Sequence, residues 1–318
     1  MVCSVLSSPA FQSPALVAIV LCTYNGEQFL QAQLDSIEKQ THRHWVLFVS
    51  DDGSTDKTLS LVGDFAQRVG TERVHIFAGP RRGFAKNFLS LVRRPQIDAP
   101  YIAFADQDDI WLPEKLQCAL AFFEKKEEGL ALYAGRTRYI DEHDHVLGES
   151  TLFSKPPSFA NALVQSIGGG NTMMINRHTL NSLRDAPQSL DIYSHDWWFY
   201  LLVSALGGTV FYDPKPLVLY RQHGSNIVGM NTTWSQKWRR IQMLLAGDFS
   251  QWNMRNIAAL AYFRPQMSAH IQNIFDCFVR ARKQTLFRRI ASMKAAGVYR
   301  QTALGNAGLW FAIFTNKI

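Results

Sequence analysis

Three carboxylates fall within four residues at Asp106-Gln107-Asp108-Asp109, directly after the apolar run Tyr101 to Ala105 and just before Pro113. The run reads as a buried strand and Pro113 as the opening of a helix, which puts the acids at the carboxyl end of a strand. Crowded there, they repel one another and lose hydration, an arrangement that is costly unless a cation sits among them. Hard oxygen ligands favour Mg²⁺, Mn²⁺ or Ca²⁺ over softer metals. The plainer alternative is a helix start in which Asp109 caps and Glu114 fills the first turn.

The elements that must position these acids alternate along the chain. Leu16 to Thr23, Trp45 to Ser50, Val74 to Ala78 and Tyr101 to Ala105 read as strands. Glu27 to Lys39, Lys57 to Val69, Gly83 to Val92 and Pro113 to Lys125 read as the helices between and after them. Strand and helix in alternation predict an α/β, Rossmann-like, mostly parallel sheet flanked by helices. Three of the strands then hand over to polar loops on one edge: Thr23-Tyr24-Asn25-Gly26, Asp51-Asp52-Gly53-Ser54 and the acidic stretch above. In such sheets, loops at the carboxyl ends of the strands form a ligand cleft.

Beyond about residue 130 the rhythm changes. A longer strand is predicted from Leu130 to Ile140, with a turn over Asp141 to His145. Gly168-Gly169-Gly170-Asn171 precedes a strand over Thr172 to Asn176, and bare glycine backbone suits close approach of a ligand. Ser194 is the candidate N-cap for a helix running through His195-Asp196-Trp197 to about Leu206. Two short strands around Val210 and Val218 lead into Tyr220-Arg221-Gln222-His223, and from Thr233 the pattern is helical.

Composition excludes several classes. With 47% hydrophobic and 19% charged residues in 318, this is a globular chain with material for a large core. The net charge of +7 is concentrated: eight of the 33 Lys and Arg, and no Asp or Glu, lie from Cys277 onward. Four scattered cysteines lack metal-ligand or disulfide spacing, as expected in a reducing cytosol. Met1 to Pro14 does not read as a signal peptide, and the late apolar run Gly308 to Phe314 is too short to span a bilayer.

Taken together, Thr23-Tyr24-Asn25, Asp51-Asp52-Gly53-Ser54-Thr55-Asp56, Asp106-Gln107-Asp108-Asp109-Ile110-Trp111, His195-Asp196 and Arg221-Gln222-His223 resemble, in order and spacing, a family 2 glycosyltransferase. The resemblance covers roughly residues 15 to 228 and implies a GT-A fold, a nucleotide-sugar donor and inversion at the anomeric carbon. The DQDDIW phrase and the basic tail are similar to bacterial rhamnosyltransferases of O-antigen or capsule assembly, which implies dTDP-L-rhamnose as donor and a glycan or lipid-linked acceptor. By this resemblance Thr23 and Asp52 contact base and ribose, with Tyr24 and Glu27 nearby. A carboxylate suits that place because it accepts from a pyrimidine N3–H or a ribose hydroxyl.

The same resemblance makes Asp108 a ligand of Mg²⁺ or Mn²⁺, with His223 as a late ligand, and places Asp106 and Gln107 by the donor. Arg221 can pair with phosphate oxygens of the donor, and Arg82, Lys86 and Asn87 are further candidates for donor contacts. Asp196 is then the base, favoured in ionised form by the first turn of its helix. Relatives commonly carry Glu-Asp where this chain has His195-Asp196, and His195 joins Gly169, Gly170, Asn171 and Trp197 as an expected acceptor-side residue. Gln236-Lys-Trp238-Arg-Arg departs from the Gln-x-x-Arg-Trp motif of processive synthases, so transfer of one sugar is expected.

The chain is thus expected to divide into an amino-terminal segment (1–14), a nucleotide-sugar half (15–130), an acceptor and catalytic half (131–230) and a basic helical extension (231–318). In the extension, Leu286, Ile290 and Met293 at helical spacing among Arg288, Arg289 and Lys294 read as a membrane-surface helix, with Leu309 to Phe314 as an interfacial anchor. A cytoplasmic protein, peripheral on the inner face of the bacterial membrane and without a nucleic-acid partner, is expected. Three alternatives remain open: a UDP- or GDP-sugar donor; nucleotidyl transfer, for which a phosphate loop is missing; and a non-catalytic nucleotide-sugar or membrane-binding module.

Overall fold

A computed structural model describes residues 14–125, 129–223 and 248–318. The expectations that rest on residues 1–13, on Gly224 to Asn226 and on Gln236 to Arg240 lie outside them. The first half follows the predicted alternation: β1 (Val17–Thr23), α1 (Leu30–Glu38), β2 (Trp45–Asp51), α2 (Thr58–Val69), β3 (Val74–Ala78), α3 (Phe84–Val92), β4 (Tyr101–Ala105), β5 (Ile110–Trp111) and α4 (Lys115–Phe123). There follow β6 (Ala131–Ile140), β7 (Val146–Glu149), α5 (Phe159–Ala162), β8 (Met174–Asn176), α6 (Arg177–Arg184), α7 (His195–Ala205) and β9 (Thr209–Arg221). Among the described residues from 248 onward there are four helices: α8 (Asp248–Phe263), α9 (Ala269–Ala281), α10 (Leu286–Ala296) and α11 (Ala303–Phe314).

The nine strands among the described residues belong to one sheet, in the order β3-β2-β1-β4-β8-β6-β9-β5 with β7 beside β6. The strands β3, β2, β1 and β4 pair in parallel. β8 then runs antiparallel between β4 and β6, so the second half is grafted onto the first by mixed pairing. Side chains alternate across the sheet, as the two-residue period of a strand demands. Ala18, Val20, Ile102 and Phe104 face α3 and α7, whereas Val17, Ile19, Leu21, Ala103 and Ala105 face α1, α2 and α4. Continuous apolar strands are what a sheet covered on both faces requires.

Four local expectations are corrected. Asp109 caps no helix: it is fully buried, Ile110 and Trp111 after it pair with β9, and α4 starts only at Lys115. Glu114 stands at the N-cap position of α4 and pairs with Lys215. The two strands expected around Val210 and Val218 are one, β9, because parallel pairing with β6 resumes beyond Pro214 and Pro216 after a register shift. On α10 Met293 is 1% and Arg289 7% exposed and Ile290 packs against the core, since α8 to α11 share the core that α7 builds with the sheet, whereas Leu286 stays 38% exposed. An apolar stripe finds its own protein sooner than a membrane.

Candidate active site

The loops after β1, β2 and β4 meet at the carboxyl edge of the sheet, held mainly by hydrogen bonds between side chains and backbone. Glu27 and Asp56 cap each other's loops: Glu27 N–H donates to Asp56 Oδ2 at 3.0 Å, and Lys57 N–H donates to Glu27 Oε2 at 2.9 Å. Asn25, at φ +46°, accepts from Thr55 N–H through Oδ1, a left-handed position that Asn tolerates. Gln107 clasps Tyr24, accepting from its N–H at 2.8 Å and donating to its carbonyl at 3.1 Å. This clasp requires glycine at 26, where a Cβ would stand 2.5 Å from the Gln107 amide oxygen. Tyr24 itself is left 58% exposed at the cleft mouth.

Two adjacent acids after β2 do different work. Asp51 is buried and accepts from the Thr23 hydroxyl and from the N–H groups of Gly53 and Ser54, so it shapes the turn. Asp52 reaches across to the loop before α3, accepting from Arg81 N–H at 2.6 Å and Gly83 N–H at 2.9 Å. Thr23 is correspondingly buried, its hydroxyl given to Asp51. Lys86 donates to the Leu190 carbonyl and pairs with Asp191 at 2.9 Å, in the segment that leads into α7.

The acidic stretch after β4 is pinned from the second half of the chain. Asp109 accepts from the Asn171 amide and from Arg221 N–H, and its burial raises its carboxyl well above the ordinary range. Arg221 is 2% exposed: its guanidinium donates to the carbonyls of Asp108 and Asp141, pairs with Asp144 and lies over the Phe29 ring. Sequence reading saw Asp141 to His145 only as a turn, because its partner is some 80 residues away. Asp108 stays near the surface, and His223 Nε2 lies 2.8 Å from its Oδ2. Asp106 is crowded from both sides: burial, then the charges of Asp108 and Asp196, push its carboxyl up to about 8.

Asp196 stands in the first turn of α7 and makes no hydrogen bond or ion pair among the described residues. Its interaction with Asp106 brings it to the same edge as the strand-end acids, from the opposite half of the molecule. His195 beside it is 4% exposed, packed on Phe88 at 4.0 Å between ring centres, with no hydrogen-bond partner for either nitrogen. Burial holds it near 4, so the ring is neutral at pH 7. It fills the space over Gly170, where a Cβ would stand 2.1 Å from its Nε2. Gly170 therefore admits an imidazole, which is a packing role.

Trp197 is not brought to this edge. It is 5% exposed, its indole N–H donates to the Ala162 carbonyl at 2.6 Å, and Tyr193 and Phe249 cover it. The structure thus gathers Asp52, Asp106, Gln107, Asp108, His223 and Asp196 around one edge, ties Lys86 to Leu190 and Asp191, and buries Arg221, His195 and Trp197.

The strand-end loops lie within the reach of a known family: the model for "Glycosyl transferase family 2" fits residues 18–184, more than half of the chain. The chain belongs to this family. It is 28% identical over 256 residues to the dTDP-rhamnosyl transferase RfbG of Shigella flexneri, covering 76% of this chain and 83% of that protein. It is also 28% identical over 194 residues to the UDP-Glc:alpha-D-GlcNAc-diphosphoundecaprenol beta-1,3-glucosyltransferase WfgD of Escherichia coli, covering 59% and 69%. Among solved structures it resembles S. aureus TarS 1-349 in complex with UDP-GlcNAc (TM-score 0.54, 15% identity, 88% and 89% covered). It also resembles the mannosyltransferase PcManGT of Pyrobaculum calidifontis in complex with GDP-Man and Mn²⁺ (TM-score 0.51, 16% identity, 92% and 88% covered). These likenesses establish the GT-A glycosyltransferase fold, and family 2 membership makes the chain a glycosyltransferase.

Proposed function

We propose that this glycosyltransferase moves one L-rhamnosyl residue from dTDP-L-rhamnose to a hydroxyl of a bacterial surface glycan or its lipid-linked precursor, with inversion. The observation that carries the mechanism is Asp196, an unpaired carboxylate in the first turn of a helix, facing the strand-end acids. In the transfer, Asp196 takes the acceptor O–H proton as that oxygen bonds to the anomeric carbon, while the sugar–diphosphate C–O bond breaks and its electron pair leaves with dTDP. Asp52 and the Tyr24–Gln107 clasp receive the nucleoside, and Asp106 lies between the two sides. The choice of sugar rests on the similarity to RfbG.

Asp108 and His223 suit Mg²⁺ or Mn²⁺: a hard oxygen and an imidazole, adjacent, beside carboxylates whose crowding a cation would relieve. Among the described residues no three His, Cys, Asp or Glu converge on one point. A two-residue site fits an ion that keeps its remaining positions for water and phosphate oxygens. When bound, the cation supplies charge neutralisation to the departing diphosphate. Arg221, spent on Asp108, Asp141 and Asp144, then supports the site by holding Asp108 and Asp109 in place.

A donor screen with Mn²⁺ tests the reading, using dTDP-rhamnose, UDP-glucose, UDP-N-acetylglucosamine and GDP-mannose. Thermal stabilisation and slow dTDP release with dTDP-rhamnose alone are expected. Response to a UDP-sugar instead would favour a specificity nearer to that of WfgD and refute the rhamnosyl assignment. Asp196→Asn should keep donor affinity while kcat falls by roughly 100-fold or more; full activity of the folded Asp196→Asn protein would remove Asp196 from the chemistry.

A further inference from the structure

The inward-facing α10 leaves a different apolar surface open. None of the 12 residues of α11 is charged, and only one side of it is inward, through Leu309, Ala312 and Ile313. On the outer side Leu304, Ala307, Phe311 and Phe314 follow at helical spacing, with Leu304 80%, Phe311 47% and Phe314 53% exposed. A helix apolar on every side is normally buried on every side. Arg289 donates to the Ile313 carbonyl at 2.9 Å, which ties the first turn of α10 to the last turn of α11. Phe287, 85% exposed, therefore stands at the same end as Phe311 and Phe314.

We propose that the outer face of α11, extended by Phe287, docks on an anionic lipid bilayer. The charge around it decides the occupant. Lys283, Arg288 and Lys294 are exposed on and just before α10, and no acid follows Asp276 in the chain. Basic residues beside exposed aromatic and aliphatic side chains match an interface of anionic headgroups above acyl chains. A second copy of the chain would bring like charges together across a two-fold contact. A nucleic acid would satisfy the charges and leave the apolar stripe in water. At 12 residues α11 is about 18 Å long, too short to cross a bilayer but suited to lying in its surface. No helix among the described residues is long and apolar enough to span one.

Co-sedimentation of the full chain with vesicles tests this without any sugar donor, so its outcome is independent of the glycosyl-transfer reading. Binding is expected to vesicles of phosphatidylcholine with roughly one-third phosphatidylglycerol and not to phosphatidylcholine alone, and it should weaken with added salt. The double variant Leu304→Ser/Phe311→Ser should bind at least tenfold more weakly, and Lys283→Gln/Arg288→Gln several-fold more weakly, both with unchanged melting temperature. Absence of binding to anionic vesicles overturns the proposal, and so does full binding by Leu304→Ser/Phe311→Ser. Self-association in sedimentation velocity that this double variant abolishes, with vesicles ignored, would assign the face to a second copy of the chain and overturn the proposal.

Discussion

Replacing Asp106 by Asn removes one charge from a cluster in which burial, Asp108 and Asp196 together lift its carboxyl from 3.8 to about 8. A raised folded pKa means that the folded chain holds this proton more tightly than the unfolded one. The associated stability is fully present below about pH 4 and is lost as pH rises through about 8. At pH 8 the full shift corresponds to about 5 kcal/mol in favour of unfolding. Asp106 keeps some contact with water at the cleft and shares the repulsion with two neighbours, so about half, roughly 2 kcal/mol, is assigned to its removal. Asp106→Asn should therefore raise the denaturant midpoint of the metal-free chain at pH 8 and leave it nearly unchanged at pH 4. Saturating Mn²⁺ should narrow the gap, because the cation relieves the same repulsion in the parent. Equal stability of the two chains at pH 8, or the same difference at both pH values, would refute the crowding argument.

The other predictions concern residues whose roles the packing distinguishes. His223→Ala leaves Asp108 without its 2.8 Å neighbour and should weaken Mn²⁺ binding in calorimetry by roughly tenfold or more; unchanged affinity would take His223 out of the metal site. Trp197→Phe deletes the indole N–H that satisfies the Ala162 carbonyl and should cost about 1–3 kcal/mol of stability with no change in acceptor KM. A raised acceptor KM at unchanged stability would return Trp197 to the cleft.

The sequence by itself determined the parts of this protein that depend on local pattern. Continuous apolar runs such as Leu16 to Thr23 could only be strands covered on both faces, and their alternation with amphipathic helices forced parallel pairing of β1 to β4. Once those strands are parallel, Thr23, Asp52 and Asp106 must emerge at one edge, so the cleft was readable before any contact was known. Tertiary structure alone decided which polar side chains remain open there. Arg221 and Asp144 are 77 residues apart, as Trp197 and Ala162 are 35 apart, and neither pairing leaves a periodicity to read. The same holds for the tail. Spacing marks Leu286, Ile290 and Met293 of α10 as an apolar side, but whether that side meets a membrane or the protein depends on what α7 and α9 leave uncovered. The core claimed Met293. Leu304 and Phe311 of α11 remain outside because that helix turns its other side, Leu309 and Ile313, into the core.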